Sequence, residues 1–460
     1  MNQTNLKERW AVVGGGFLGM TLALRLARQG KSVTIFEAAS SLGGLAAAWQ
    51  LGDVVWDRHY HVTLSSDKYL RSVLRELGLE DQLLWRKART GFFCDSRLYS
   101  MSNSIEFVRF PPLGLIDKIR LGATILRACR IKDGRSLEQI SAEDWLRKWS
   151  GTRVTKKIWL PLLRAKLGES YRDASATFIW AIIARMYAAR SAGAKTELFG
   201  YVRGGYARIL QAFQQLLEME GVEIRLQQPV CAITPTGFGG LRIELGPAHF
   251  ENFSQAVVTT TAPLAARLCP ALSPEEKDRL ASIKYQGIVC ASVLLKDPLS
   301  PYYITNITDN RIPYTAVIEM SSFVDRSEFG GRSLVYLPKY VDPDSPFFNL
   351  TDEQVRAEFE VGLTKMYSRF KRSDILYFRV SRVKYLLPVP TINYSATLPR
   401  CATSVPGLYI LNATQIVNGT LNVNETVRLA ESAAREFAQS GPARNPISET
   451  FDDELTEANR

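Results

Sequence analysis

Apolar and polar positions alternate in readable blocks from Trp10 onward. Trp10 to Val13 is a short unbroken apolar run, the signature of a buried strand, and Met20 to Arg28 repeats its apolar residues at helical spacing until Gly30 ends it. Ser32 to Phe36 is a second apolar, β-branched strand that ends at Glu37. Further along, the spacing predicts a helix over Ile209 to Leu217, strands over Val222 to Leu226, Ala256 to Thr260 and Leu408 to Leu411, and a helix from about Glu425 to Phe437. Ile288 to Leu295, Tyr314 to Ile318 and Ser333 to Leu337 are strand-like runs, which suggests a mixed or antiparallel sheet. Residues 111–199 read as helices.

The turn between the first strand and helix is Gly14-Gly15-Gly16-Phe17-Leu18-Gly19, which fits G-x-G-x-x-G. Alone this pattern is weak. With a strand before it, a helix after it and Glu37 closing the next strand, each part has a task. Gly14 permits the tight turn, Gly16 lets a pyrophosphate approach the backbone, Gly19 lets helix and strand pack closely, and the helix N-terminus offers free N–H groups to phosphate charge. The Glu37 carboxylate can accept from ribose hydroxyls. NAD and FAD both use such a unit.

Composition excludes several classes. The 460 residues are 46% hydrophobic and 22% charged, ordinary for a globular chain of two or three domains. The net charge of +11 is uneven: residues 58–210 hold 28 basic and 14 acidic groups, while the flanks together are slightly acidic. Without Lys/Arg runs interleaved with stacking aromatics, nucleic acid is not an expected partner. The excess points instead to an anionic membrane surface or an anionic substrate. Six scattered cysteines form no CxxC, no signal peptide is evident, and no apolar run approaches the ~20 residues of a spanning helix. A cytoplasmic protein is expected, free or peripheral on a membrane. Within the basic region, Leu115, Ile116, Ile119, Ala123 and Leu126 share one helical face. That face suits packing on the domain below or an anionic bilayer.

Two more segments carry a resemblance. Ser40-Ser41-Leu42-Gly43-Gly44-Leu45 places a glycine pair soon after Glu37, and Trp56-Asp57-Arg58-His59-Tyr60-His61 follows another short strand. With Gly200 to Tyr206 and Pro406 to Asn422, the chain resembles, along nearly its whole length, the superfamily of flavin-containing amine oxidases, protoporphyrinogen oxidases and phytoene desaturases, to which UDP-galactopyranose mutase is related. The resemblance implies an α/β fold: a Rossmann-like, glutathione-reductase-like FAD-binding domain from residues 1–90, 200–284 and 385–438. It further implies a mixed-sheet substrate domain from 91–110 and 285–384, and a helical cap at 111–199 that could meet a membrane. Residues 440–460 read as a disordered tail.

The resemblance also implies non-covalent FAD held by Gly14, Gly16, Phe17, Leu18, Gly19, Glu37, Ala38, Gly43, Gly44, Leu45, His59, Val230, Thr260, Asn412, Thr420, Leu421 and Asn422, with Val230 beside the adenine. Two departures matter. Asn412-Ala413 stands where many relatives have Gly-Asp, and Leu45 stands where amine oxidases often carry arginine, which moves the chain toward branches acting on non-amine substrates. Cys401 lies outside the family's covalent-flavin context. His59 and His61, an i, i+2 pair on an expected strand, lack an evident third metal ligand, so flavin-lining roles are expected and no metal. His61 is a candidate for proton handling, and Arg382 a candidate in the cavity; Tyr336 and Tyr340 could supply aromatic walls. The implied activity is hydride removal from a largely apolar or conjugated small molecule. The alternatives are a non-redox mutase acting on a nucleotide sugar and a flavin-binding scaffold without turnover.

Overall fold

The computed structural model describes residues 8–188, 198–237, 239–417 and 419–439. The tail expected at 440–460 lies outside the described residues. Strand β1 (Arg9–Val13), helix α1 (Phe17–Arg28) and strand β2 (Ser32–Phe36) form the unit expected from the first forty residues. Strands Glu223–Arg225, Gln255–Val258 and Leu408–Ile410 complete a parallel sheet in the order 223–225, β2, β1, 255–258, 408–410. Four of the five residues in β1 and in β2 are buried, as expected of parallel strands covered on both faces. Strand order reverses at β1, so its C-terminal end opens at the switch point where such sheets bind ligands.

Helices pack on this sheet through an apolar core and one ion network. Arg25 of α1 bridges Glu76 of α2 (Lys68–Glu76) and Glu431 of α10 (Val423–Gln439), each at 2.6 Å. Arg28 adds Glu76 and Glu220, the residue that follows α8 (Gly205–Met219). These groups lie on four segments distant in sequence.

A seven-stranded sheet forms the second layer, in the order 375–388, 285–295, 333–341, 316–319, 304–307, 90–94, 97–100. Only 304–307 with 90–94 is parallel, so the sheet is mixed. The Tyr285–Leu295 strand is buried at all eleven positions because it is covered on both sides. Ile288, Cys290 and Leu294 face Trp56 and Tyr336, while Val289, Ala291 and Val293 pack toward α9 (Asp352–Met366). Two expected boundaries fall inside strands of this sheet: Thr90–Cys94 crosses the one at 90/91, and Ile375–Pro388 runs unbroken through 384/385. The physical reason is pairing. Tyr285 opposes Pro388, so the strand pair ends against the parallel-sheet domain and not at the change in sequence pattern. Leu198, expected in the cap, instead begins the Leu198–Tyr201 strand, which pairs with Leu84–Lys87.

The cap contains α3 (Ser104–Val108), α4 (Leu115–Arg130), α5 (Ala142–Ser150), α6 (Leu160–Leu167) and α7 (Ala176–Ala188). α4 turns Leu121, Thr124 and Ala128 inward against α5 and α7. Its apolar stripe points out: Leu115, Ile116 and Ile119 are 64–70% exposed.

Candidate functional site

Three turns converge at the C-terminal end of β1. Gly14 sits at φ +116°, a conformation that favours glycine, and a Cβ on Gly19 would lie 2.0 Å from the Gly14 carbonyl oxygen, so these two glycines serve the fold. Gly16 differs: a Cβ there would meet nothing within 4 Å. Gly16 also caps α1 without a side-chain bond, and no acidic residue stands in the first turn. Phe17 and Leu18 bury their side chains, so what they offer is backbone N–H. The second glycine pair closes over this turn. Gly43 N–H donates to the Gly15 carbonyl at 2.8 Å, and a Cβ on Gly44 would lie 3.2 Å from Gly16 Cα.

Glu37 organises the rim. Its carboxylate accepts from Gly15 N–H (2.7 Å) and Ala39 N–H (2.8 Å), using one acceptor site on each oxygen and leaving others for ribose hydroxyls. Ala38 follows exposed, and Gln228 N–H donates to the Glu37 carbonyl, which carries the chain past β2 to the half-buried Val230.

Unpartnered buried atoms test whether a dinucleotide fits. Thr260 Oγ1, Asn412 Nδ2 and Arg58 Nε are buried without a hydrogen-bond partner, a costly state for polar atoms unless a ligand meets them. Thr259, by contrast, is tied to the Val13 and Gly14 carbonyls. Asn412 Oδ1 is occupied by Thr414, so what this residue has left to offer is its amide donor. Asn422 Oδ1 accepts from Glu425 N–H and caps α10, its Nδ2 bonds the Thr420 carbonyl, and Leu421 packs against both the parallel-sheet core and the cap core. The open Gly16 cradle and the unmatched donors fit a pyrophosphate-bearing cofactor.

The histidines lie on an irregular segment, not the expected strand. The Leu45 carbonyl can only accept, so His59 donates from Nδ1 (3.1 Å) and Nε2 accepts from the Ser381 hydroxyl (3.0 Å). His59 thereby ties the glycine-pair turn to the second sheet. His61 Nδ1 donates to the His59 carbonyl, and its ring lies 4.8 Å from that of Tyr206. Burial lowers His59 to about 3 and His61 to about 4, so both rings are neutral near pH 7. Among the described residues no set of three His, Cys, Asp or Glu side chains gathers as metal ligands.

Arg382 does not reach this site. It pairs with Val289, on the sheet face toward α9, and bonds Asp352 Oδ1 (2.7 Å) and the Leu350 carbonyl (2.6 Å). Strand alternation sends its neighbour Ser381 to His59 and Arg382 to the far side. Cys401 packs against the parallel-sheet core, where burial raises its thiol to about 12. Tyr336 is fully buried and donates to the Asp57 carbonyl, while Tyr340 Oη meets Tyr60 Oη at 3.0 Å.

Sequence reasoning missed two residues. Arg58 donates to the Gly44 carbonyl at 2.7 Å, and its one legible signal was a cation beside His59 in a segment that folds back on the glycine pair. Asp57 is buried beneath, accepts from Tyr206 N–H at 2.8 Å, and is pushed up to about 7 by burial.

The sequence profile of the flavin containing amine oxidoreductases matches residues 19–436. A carotenoid phi-ring synthase from Streptomyces griseus is 29% identical over 290 residues, 58% of this chain and 55% of that protein. A 15-cis-phytoene desaturase from Synechococcus elongatus is 24% identical over 48% of this chain and 50% of its own length. The chain thus spans about half the length of these curated relatives. A reduced UDP-galactopyranose mutase shares the fold with a TM-score of 0.71 and 14% identity, covering 94% of this chain and 96% of that one.

Proposed function

From a chain that belongs to the flavin-containing amine oxidoreductase family, we infer an FAD-dependent oxidoreductase that withdraws a hydride from a largely apolar or conjugated small molecule. FAD, when bound, would supply the hydride acceptor, with O₂, a quinone or another acceptor taking the electrons. One observation carries the choice of substrate: the rings between the glycine turns and the second sheet are neutral, and the charge beside them is the cation of Arg58. His59 and His61 are held neutral, and burial raises the Tyr60 and Tyr336 hydroxyls well above their ordinary range. An apolar body loses nothing on entering such a wall, whereas a cationic amine would lose hydration without gaining a counter-charge.

The chain's own groups would position the cofactor. The N–H groups of Phe17, Leu18 and Gly19 would meet the pyrophosphate, Glu37 the ribose, and Thr260 and Asn412 Nδ2 the remaining oxygens. The N-terminal end of α10 would favour negative charge on the ring. His59 would fix the turn, and His61, bearing an acceptor Nε2, would contact the ring more readily than move protons.

The test is anaerobic bleaching of the purified flavoprotein. Porphyrinogens and carotenoid precursors are expected to bleach it, while amines and UDP-galactopyranose are not. A colourless protein that takes up no FAD would refute the proposal. Isomerisation of a UDP-sugar after prior reduction would favour the mutase reading, which the cap cations suit, and bound FAD that no metabolite reduces would favour a scaffold.

We also propose peripheral attachment to an anionic membrane through α3 and α4. Ile105, Val108, Leu115, Ile116 and Ile119 are all more than half exposed, beside exposed Arg109, Arg120, Arg127 and Arg130. The nearby acids turn away, Asp117 to Arg153 and Glu106 to Ser100. Each basic group near an anionic surface contributes about 1 kcal/mol. Among the described residues no helix is long and apolar enough to cross a bilayer. Salt-sensitive flotation with anionic vesicles tests the attachment, and its absence would refute it.

A further inference from the structure

A cleft of about 650 Å³ separates the cap from the second sheet, away from the glycine turns. One wall is the π turn Thr155–Trp159 together with α6, and the other is the loop at 308–315 and the end of the Ser333–Val341 strand. Lys156, Lys157, Arg164, Arg311 and Lys339 line it, against two carboxylates, Asp95 and Asp309. Both carboxylates are already taken. Lys157 holds Asp95 at 2.9 Å and Arg311 holds Asp309 at 2.5 Å, while Lys339 reaches Glu358 at 3.0 Å.

Lys156 and Arg164 are left without a carboxylate partner among the described residues. Arg164 is nonetheless fixed in place: it donates to the Tyr171 hydroxyl at 2.9 Å and lies over that ring. The extra residue of a π turn changes the direction of the side chains on it, here the two adjacent lysines, and such turns are frequent at functional sites. Ile312, Pro313 and Pro161 add apolar surface among the cations, beside Thr308, Asn310 and Thr315. Tyr340 also lines the cleft, and its hydroxyl bonds Tyr60, between His59 and His61. The cleft therefore adjoins the wall of neutral rings through one tyrosine pair.

We propose that this cleft binds the anionic end of the substrate, a phosphate or carboxylate carried on an apolar body. The proposal rests on the reading of the wall of neutral rings as the place where that body is oxidised, and it names the substrate class: an anionic amphipath. An anion at Lys156 and Arg164 relieves the repulsion among gathered cations and gains charge-assisted hydrogen bonds.

Titration calorimetry of the holoprotein with dodecyl phosphate, below its micelle concentration, tests this. Dodecanol and inorganic phosphate serve as the apolar and anionic halves. Dodecyl phosphate is expected to bind at one equivalent, at least tenfold tighter than either half, and to perturb the visible flavin band. The Lys156→Ala, Arg164→Ala double variant should bind it at least tenfold more weakly, with unchanged FAD content and unfolding temperature certifying its fold; if that variant fails to fold, Lys156→Glu alone is used, with the same weakening expected. Equal binding of dodecanol, unchanged binding by the folded variant, or an unperturbed flavin band would each overturn the proposal. Because calorimetry needs no turnover, a failure of substrates to bleach the flavin counts against the proposed function and leaves a positive binding result standing.

Discussion

Replacing Gly16 by alanine separates cofactor binding from folding. The backbone at Gly16 (φ −74°, ψ 176°) is open to alanine, and the new methyl would meet no protein atom within 4 Å. Alanine is a poorer helix cap than glycine by up to about 1 kcal/mol, but it removes about 0.4–1 kcal/mol of unfolded-state freedom. These terms offset, so the apoprotein should unfold within about 4 °C of the parent. In the holoprotein the methyl would occupy the approach of the pyrophosphate. Losing one charge-assisted hydrogen bond costs about 1.5–3 kcal/mol, roughly a tenfold to hundredfold rise in Kd for FAD. Flavin fluorescence quenching reads the affinity and calorimetry of the apoprotein reads the fold. Gly19→Ala is the opposite control, because its methyl would collide with the Gly14 carbonyl and should abolish folding. An unchanged FAD affinity in Gly16→Ala would refute the placement of the pyrophosphate.

Four further outcomes are expected. Arg58→Leu should raise the Kd for FAD about tenfold, since a buried donor beside Gly44 is lost; unchanged affinity would make Arg58 purely structural. Burial raises Asp57 to about 7 in the fold, against an unfolded value near 3.8, so the native state binds its proton more tightly. The stability this provides is fully present below about pH 4 and is lost as pH rises through 7. Asp57→Asn keeps the acceptor for Tyr206 N–H and should flatten that fall in an unfolding-temperature profile. Arg382→Ala should leave flavin reduction unchanged and cost at most about 1 kcal/mol, because its partner Asp352 is half exposed; a large loss of turnover with intact stability would contradict its placement. Ile116→Asp with Ile119→Asp should reduce vesicle binding at least tenfold without lowering the unfolding temperature, since each exposed aliphatic can bury about 1.5–3 kcal/mol in lipid.

What sequence alone determined was local. The β1–α1–β2 unit, its glycines and Glu37 were legible because a tight turn, a free helix end and a buried parallel strand each restrict the residues allowed within a few positions. The all-buried Tyr285–Leu295 strand announced itself the same way, as a run with no polar face. Tertiary structure decided which side of each element met which partner. The stripe on α4 could have packed inward or faced out, because amphipathic spacing fixes a face but not its neighbour, and the cap turned Leu121, Thr124 and Ala128 inward instead. Arg382 and Ser381 are adjacent in sequence, yet pleating sends one to Asp352 and the other to His59. The histidine pair looked like a strand motif, but carbonyls from 14 and 2 residues away set its geometry and tautomer, and burial holds both rings neutral. The cationic cleft is assembled from segments around 95, 156, 311 and 339, and a site built from such distant pieces exists only once their contacts form.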